Sequence, residues 1–531
     1  MAVQVFLQSW VFQQPSNGRN APGDSRSHHA RNGENSFLTQ PWILVFLLSE
    51  GLHGFPHSPR DGMSILDYDD EDDLENDQSR NDRLDDELKK YREGNSEPSS
   101  PEALEEIVNY YCELEKYEEA LYFMTRLLEL APYSADAWQR KGVILSGLSR
   151  HEEALSCFDR ALELNPLDAE LLVNRGITLD DLGRHDEALG SFEKALEADP
   201  SNQDALFNKG VVFEKTARHD DAARIFRFIL DGNAEHRDAW YELGYCYDYL
   251  DRLEDSLACY DAYVKIDPYN YNVWYNRGIV LGRMLNHSRA IESYDMALAI
   301  HEEFPAAHYN KGNAYANMGR LHDAIACYNQ TLQLDQRDIP AWHNLGNAYE
   351  ELGEFEQAIK CFSQSIRLDP GHYESYFGRG SCYDALEQFR RALVDYNKAL
   401  SLCKDYPELW YAKADLLYNM GRLRESLIGY RMVTRLEPSN YEAWLDYGET
   451  LMELGYLKQA LKAFDKSIRS NPKCAETYYW RTKVLLMMNR TFEALESLKH
   501  SFNLDPEKRR EFEKEFPGVR SIRGFKNLLR R

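Results

Sequence analysis

Asparagine recurs in the middle of this sequence at a constant spacing of 34 residues. Asn276, Asn310 and Asn344 form the unbroken part of the series, and Asn174 and Asn208 lie in the same register upstream. A carboxamide offers both an N–H donor and a carbonyl acceptor. Amides at a constant interval are therefore suited to hydrogen-bond the backbone of an extended polypeptide. The alternative, that these amides bond only within their own repeats, stays open.

Rings with polar tips and further amides flank this series. The rings belong to the residues that directly precede the positions of the 34-residue series. The further amides lie three residues after two of these positions. These flanking residues are Tyr241, Tyr275, Tyr309, His343, Asn313 and Asn347. Partly exposed rings of this kind suit a binding groove, although core packing also explains part of the pattern. We expect the five amides of the series and these six residues to form a partner-binding site.

Chemistry beyond hydrogen bonding is not indicated. The sequence has no phosphate-binding GK[ST] loop, no GxSxG or HExxH motif and no Cys/His spacing typical of zinc. The 15 histidines are scattered, and several fall in turns. We therefore predict a protein without enzymatic activity, without catalytic or metal-binding residues and without a cofactor.

The charge of the chain constrains its partners. The net charge is −26, so nucleic acid and anionic membranes are poor partners. Carboxylates also recur close to the amide series, at Asp180, Asp181, Glu214, Asp248, Glu350, Glu351 and Asp384. The sequence therefore favours neutral-to-basic protein or peptide segments as partners, and it indicates no particular oligomeric state.

The cysteines indicate a reducing compartment. There are 9 of them with no CxxC pair, and Cys157, Cys259, Cys327 and Cys361 share one register position. Stacked copies of one position do not create disulfide pairs, so small packing residues kept reduced are favoured. We expect a cytoplasmic protein.

The elements that position these residues follow from the repeat itself. A 34-residue frame runs without insertion from Pro101 to Lys508, giving twelve repeats that begin at 101 and every 34 residues thereafter. Within each repeat, position 8 is mostly Gly, position 20 is Ala or Ser and position 24 is a large apolar residue. Position 15 is Gly in five repeats. The spacing predicts two helices per repeat, packed closely through the small residues and separated at position 15.

This pattern resembles the tetratricopeptide repeat (TPR) family over 101–508. The resemblance implies an all-α protein, a right-handed α-solenoid or coiled superhelix of twelve TPR helix pairs, with the first helices lining the concave side. The amide series, at position 6, is similar to the Asn ladder in the repeats of O-linked N-acetylglucosamine transferase, which holds extended segments. Chaperone-tail clamps of the family need Lys at position 5 beside Asn at position 9. Here Tyr309 and His343 precede Asn313 and Asn347 instead, so a clamp is not expected.

The segments before and after the repeats lack the 34-residue pattern. Residues 1–62 lack periodicity, and we interpret them as disordered, with Met63 as a candidate natural start. The stretch PWILVFLL from Pro41 is far shorter than the ~20 residues that span a bilayer. Residues 63–100 are acidic and predict a disordered tail. Residues 509–531 predict a C-terminal capping helix and a basic tail, with a basic amphipathic membrane contact as the alternative.

Three functions fit the sequence. The first is a non-enzymatic scaffold that binds extended protein segments in its concave groove. The second is a substrate-docking arm for a separate enzyme such as a glycosyltransferase. The third is an architectural spacer, for which changes in the groove alter stability alone.

Overall fold

The computed structural model of the chain describes Leu88 and residues 100–516. Between 100 and 516 the chain forms twenty-five α-helices and no β-strand. Each of the twelve repeats has a first helix of 13 residues and a second helix of 14 residues. The predicted fold class, an all-α array of twelve helix pairs, is confirmed.

The first helices are α1 (Pro101–Glu113), α3 (Ala135–Gly147), α5 (Ala169–Asp181), α7 (Gln203–Lys215), α9 (Arg237–Tyr249), α11 (Tyr271–Arg283), α13 (Pro305–Asn317), α15 (Ile339–Glu351), α17 (Tyr373–Ala385), α19 (Pro407–Asn419), α21 (Tyr441–Glu453) and α23 (Ala475–Met487). The second helices are α2 (Tyr117–Leu130), α4 (His151–Leu164), α6 (His185–Ala198), α8 (His219–Gly232), α10 (Leu253–Ile266), α12 (His287–Ile300), α14 (Leu321–Leu334), α16 (Phe355–Leu368), α18 (Phe389–Leu402), α20 (Leu423–Leu436), α22 (Leu457–Ser470) and α24 (Thr491–Leu504). A last helix, α25, spans Lys508–Glu515.

The residue before most first helices caps the helix. Nine of these residues accept a hydrogen bond from a backbone N–H of the first turn, which satisfies a donor that would otherwise lack a partner. They are Ser100, Ser134, Asp168, Asn202, His236, Asn270, Asp338, His372 and Asn440. The 34-residue frame is therefore also visible as a helix start signal.

The turn between the two helices has one conformation in all repeats. Position 15 has a positive φ at every copy, at the five predicted glycines and also at seven non-glycine residues such as Ala217 and Leu285. The left-handed residue ends the first helix and lets the chain reverse. Gly is favoured here because an L-residue with a side chain is strained in this region.

The two helices of a repeat meet through a glycine and a ring. A Cβ atom built on Gly312 would lie 2.8 Å from the Tyr328 ring, and one on Gly176 would lie 2.4 Å from Phe192. Tyr328 and Phe192 are each at most 1% exposed. Only glycine leaves room for the ring at this distance, so the predicted close approach of the helices is confirmed.

Stacking of the repeats brings first helices side by side. The second helix of each repeat packs on the first helix of the next one, and neighbouring first helices such as α13 and α15 also touch. Side chains at positions 5 and 6 of successive repeats can therefore contact each other. In the described part of the chain, no helix combines the length and apolarity that crossing a membrane requires.

Residues outside the twelve repeats pack on both ends of the array. At the C-terminal end, Phe512 of α25 is fully buried and packs with Tyr479 and Phe502. At the other end, Leu88 is helical, 3% exposed and part of the cluster that includes Leu104. Leu88 therefore packs on the first repeat, and the disordered tail over 63–100 stays a prediction. Segment 1–62, the rest of 63–99 and the basic tail from 517 onward lie outside the described residues.

Candidate functional site

Three asparagines of the predicted series are joined to the preceding repeat by the same hydrogen bond. We call Asn276, Asn310 and Asn344 the amide ladder. Their Nδ2 atoms donate to the hydroxyls of Tyr241, Tyr275 and Tyr309 at 3.0, 2.9 and 2.9 Å, respectively. Each bond joins position 6 of one first helix to position 5 of the previous first helix. The orientation of each amide is therefore set by the neighbouring repeat.

The ladder amides keep hydrogen-bonding capacity for a partner. All three side chains are partly exposed, and a carboxamide has two N–H donors and a carbonyl with two lone pairs. The bond to tyrosine uses one N–H. At Asn344 the second N–H donates to Asn313 Oδ1 at 3.0 Å, so this amide presents its carbonyl oxygen.

Asn313 connects the ladder to the core. Its Oδ1 atom accepts from the hydroxyl of Tyr328 at 2.7 Å as well as from Asn344. Its Nδ2 atom lies 3.5 Å from Asn310 Oδ1, which is a weak contact. Tyr328 is the ring that packs on Gly312, so the repeat core and the ladder share one hydrogen-bond network.

Three of the predicted contact residues are buried in the array. Asn313, Asn347 and Asn174 are 4%, 6% and 8% exposed, respectively. Asn208 is partly exposed, but its Nδ2 atom donates to the Asp204 carbonyl of its own helix at 2.9 Å. Only the amide ladder thus combines exposure with the bond across repeats, and the buried amides act within the array.

The ladder tyrosines are held as neutral hydroxyls. Burial raises the pKa of Tyr275 and of Tyr309 to about 12, and it also raises the pKa of Tyr241. Their rings pack against the core rings at position 24, with 5.9 Å between the ring centroids of Tyr309 and Tyr328. Each hydroxyl is therefore a fixed point that accepts from an amide and keeps its own O–H.

His343 occupies the tyrosine position in the eighth repeat, where the ladder ends. Its Nδ1 atom lies 3.1 Å from Ser375 Oγ, and its ring centroid is 5.0 Å from that of His372. Burial, together with His372, lowers the pKa of His343 to about 3. The imidazole is therefore neutral, and no amide follows in the next repeat because Gly378 holds position 6.

A pair of carboxyl groups interrupts the amide line at its N-terminal side. Glu242 holds position 6 of the fifth repeat and is hydrogen-bonded to Glu214 of the fourth. Burial raises the pKa of Glu214 to about 7 and, with the neighbouring carboxyl, raises that of Glu242 well above its usual range. Glu214 Oε2 is buried without a hydrogen-bond partner among the described residues. Sequence reasoning named Glu214 as a carboxylate close to the amide series but missed that it meets Glu242.

Part of the negative charge predicted around the amides is offset by cations. Asp180 is 5% exposed and accepts from Lys215 Nζ at 2.6 Å, and Asp248 pairs with Arg283. Burial also raises the pKa of Glu350 to about 7. Several of the carboxylates predicted near the amide series are therefore paired with a cation or hold a proton more readily than usual.

The described part of the chain shows no metal centre. Between residues 100 and 516 there is no group of three His, Cys, Asp or Glu side chains that can hold a metal ion. All nine cysteines are free thiols, and six of them are buried.

Family models identify the repeat. A tetratricopeptide repeat model matches residues 140–203, 173–227, 207–271 and 411–475, and two more match 339–372 and 373–406. A model described as TPR repeat matches 312–353. These matches together cover more than half of the chain, which therefore belongs to the tetratricopeptide repeat family. No curated protein matches the chain.

Solved structures are similar to parts of the chain. An APC/C hetero-tetramer structure is 15% identical, covers 77% of this chain and 94% of its own, and gives a TM-score of 0.37. A tetratricopeptide repeat protein from Parabacteroides merdae is 19% identical over 47% of this chain and 97% of its own, with a TM-score of 0.37. YrrB, described as a TPR protein with an unusual peptide-binding site, is 24% identical over 35% of this chain and 96% of its own, with a TM-score of 0.32.

Proposed function

We propose that this protein is a non-enzymatic scaffold that binds extended protein segments along its first helices. Proteins of this family generally mediate protein–protein interactions, and a repeat fold of this kind is typically without catalytic activity. The amide ladder is the observation that carries the proposal. Asn276, Asn310 and Asn344 present partly exposed carboxamides at a regular interval, and an extended backbone presents its own donors and acceptors at regular intervals.

The chemistry of the partner follows from charge. The net charge of −26 disfavours nucleic acid and anionic membranes and favours neutral-to-basic segments. The ion pair between Asp248 and Arg283, on the first helices of the fifth and sixth repeats, reduces the negative potential beside the ladder, so backbone hydrogen bonding contributes more to recognition than charge does. The free thiols fit a cytoplasmic location, where cysteines stay reduced.

The test is a selection followed by comparison of matched variants. A random 16-residue peptide library displayed on phage is selected on the wild-type protein, and the enriched peptides are synthesised. Their affinities are then measured for the wild type and for a ladder variant in which Asn276, Asn310 and Asn344 are all changed to Ala. We expect at least about a tenfold loss, because three hydrogen bonds of ~0.5–1.5 kcal/mol each are removed.

A control variant removes the same number of amides elsewhere. It changes three exposed asparagines of second helices to Ala, namely Asn329, Asn397 and Asn503. The control is expected to bind the peptides like the wild type, and circular dichroism and thermal unfolding verify that both variants are folded. Equal affinity of all three proteins, or a selection that enriches no peptide, would contradict the proposed function.

A further inference from the structure

The polarity of the amide ladder is the same at three successive repeat boundaries. Each Nδ2 atom points to the tyrosine hydroxyl of the preceding repeat, at 2.9–3.0 Å. The Oδ1 and Nδ2 atoms are the two branches of one planar carboxamide, so fixing one branch also fixes the other. The ladder therefore carries its carbonyl oxygens in one common orientation.

We propose that Tyr241, Tyr275 and Tyr309 are positioning residues, which orient the amide ladder so that its carbonyl oxygens accept from backbone N–H groups of the partner. This inference rests on the proposed function and specifies its chemistry. The ladder thus recognises a row of backbone N–H donors in the partner. Proline, or any other residue without a backbone N–H, is therefore excluded at each contact position. The tyrosines act through the asparagines and need no contact with the partner.

The arrangement at Asn344 supports the acceptor role. Both of its N–H donors are already used, by Tyr309 and by Asn313. A partner group that reaches Asn344 consequently meets its carbonyl oxygen. At Asn310 the contact from Asn313 is long, at 3.5 Å, which leaves the Oδ1 lone pairs largely available.

The tyrosines are suited to hold this orientation. Their rings are packed against core rings, and burial of Tyr275 and Tyr309 raises their pKa to about 12, so they do not ionise near neutral pH. A phenylalanine at the same position preserves the ring packing and removes only the hydroxyl that accepts the hydrogen bond from the asparagine side chain. The substitution Tyr→Phe therefore separates orientation from packing.

The test uses the library peptides described above and copies of each peptide that carry one N-methylated residue. For the wild type, N-methylation at a contact position is expected to weaken binding by about tenfold or more, because an N–H donor is lost. In a variant with Tyr241, Tyr275 and Tyr309 all changed to Phe, unmodified peptides are expected to bind about three- to tenfold more weakly. For this variant, the ratio of the affinity for an unmodified peptide to the affinity for its N-methylated copy is expected to approach one. A loss of protein stability alone would not change this ratio.

Two further measurements keep the proposal open to refutation if the triple variant is unstable. The single variant Tyr309→Phe is examined by NMR with selectively labelled asparagine, where the side-chain NH2 of Asn344 is expected to shift and to exchange faster. Tyr411→Phe is the matched control, because its hydroxyl bonds to Asp446 outside the ladder. This control should keep the peptide ratio and the Asn344 signals of the wild type.

The outcomes separate this inference from the proposed function. If the ladder variant loses binding and the Tyr→Phe variants keep both affinity and the N-methyl ratio, the scaffold function stands and the positioning role is wrong. If N-methylation at every position leaves wild-type binding unchanged, the acceptor polarity is wrong. If the ladder variant itself binds normally, the proposed function fails first.

Discussion

Replacing Glu242 by Gln should make the junction of the fourth and fifth repeats less sensitive to alkaline pH. Glu242 and Glu214 lie on neighbouring first helices and share a hydrogen bond that requires one of them to be protonated. Other titratable groups face the pair from the surrounding helices. They are Lys215, Asp238, Tyr241, Tyr245 and Cys246.

The direction of the effect follows from the shifted pKa. Burial and the neighbouring carboxyl of Glu214 raise the pKa of Glu242 well above its usual 4.5, so the folded state binds that proton more tightly than the unfolded chain does. The stability contributed by protonated Glu242 is fully present below pH 4.5 and is lost as the pH rises toward the raised pKa of this group. At higher pH two carboxyl groups compete for too few protons, whereas Gln can donate an N–H to Glu214 without repulsion.

The magnitude can be bounded from the same shift. The variant removes the penalty of Glu242 itself, whose pKa is raised well above 4.5, and each pKa unit of that rise corresponds to ~1.36 kcal/mol. Local rearrangement and entry of water reduce this value. We therefore expect Glu242→Gln to gain about 1–2 kcal/mol at pH 8.5 relative to the wild type and to match it near pH 4.5.

Hydrogen exchange detected by mass spectrometry measures this change where it occurs. Repeat arrays are stabilised by local terms, so backbone amides of α7 and α9 should exchange more slowly in the variant at pH 8.5, after correction for intrinsic rates. Glu254→Gln removes an exposed carboxylate of the same repeat and serves as the control. Parallel pH profiles of wild type and Glu242→Gln would refute the reasoning.

Two further substitutions test the packing of the repeat by thermal and denaturant unfolding. Gly312→Ala places a Cβ atom 2.8 Å from the Tyr328 ring and should destabilise by about 1–3 kcal/mol. The control Gly190→Ala has no neighbour within 4 Å and should stabilise by about 0.5–1 kcal/mol; a stabilised Gly312→Ala would show that the ring can move aside. Leu285→Gly relieves a positive φ of 59° at a side chain that is 77% exposed, and should stabilise by about 1 kcal/mol. Lower stability of Leu285→Gly would show that the exposed leucine contributes packing that outweighs this strain.

Much of the fold follows from local patterns that are visible in the sequence. Gly312 and Tyr328 predict the close approach of two helices because they are the two sides of one contact within a single 34-residue repeat. The turn conformation was predictable at Gly319 but not at Leu285 or Ala217, where an ordinary residue adopts the same positive φ. Packing of the neighbouring repeats on both sides holds the turn in this conformation. Because this constraint is tertiary, the type of the turn residue does not reveal it.

The candidate site was predictable in part. The amides and the tyrosines were recognised by their register, yet their pairing was not, since Asn310 and Tyr275 meet only when successive first helices lie side by side. The burial of Asn313 was missed because it depends on the hydroxyl of Tyr328, which reaches it from the second helix. Contacts between repeats thus needed the structure, and so did the hydrogen bond between Tyr328 and Asn313 within one repeat.

The bond between tyrosine and asparagine has a consequence for how such an array can grow. The sixth repeat contains Tyr275 and Asn276, and the seventh contains Tyr309 and Asn310, so each unit carries both complementary halves of the junction. Excision of residues 305–338 would bring Asn344 into register with Tyr275 and recreate the same bond. Duplication of that segment would add one rung in the same polarity. Recombination at repeat boundaries can therefore lengthen or shorten the row of amides without any compensating point mutation.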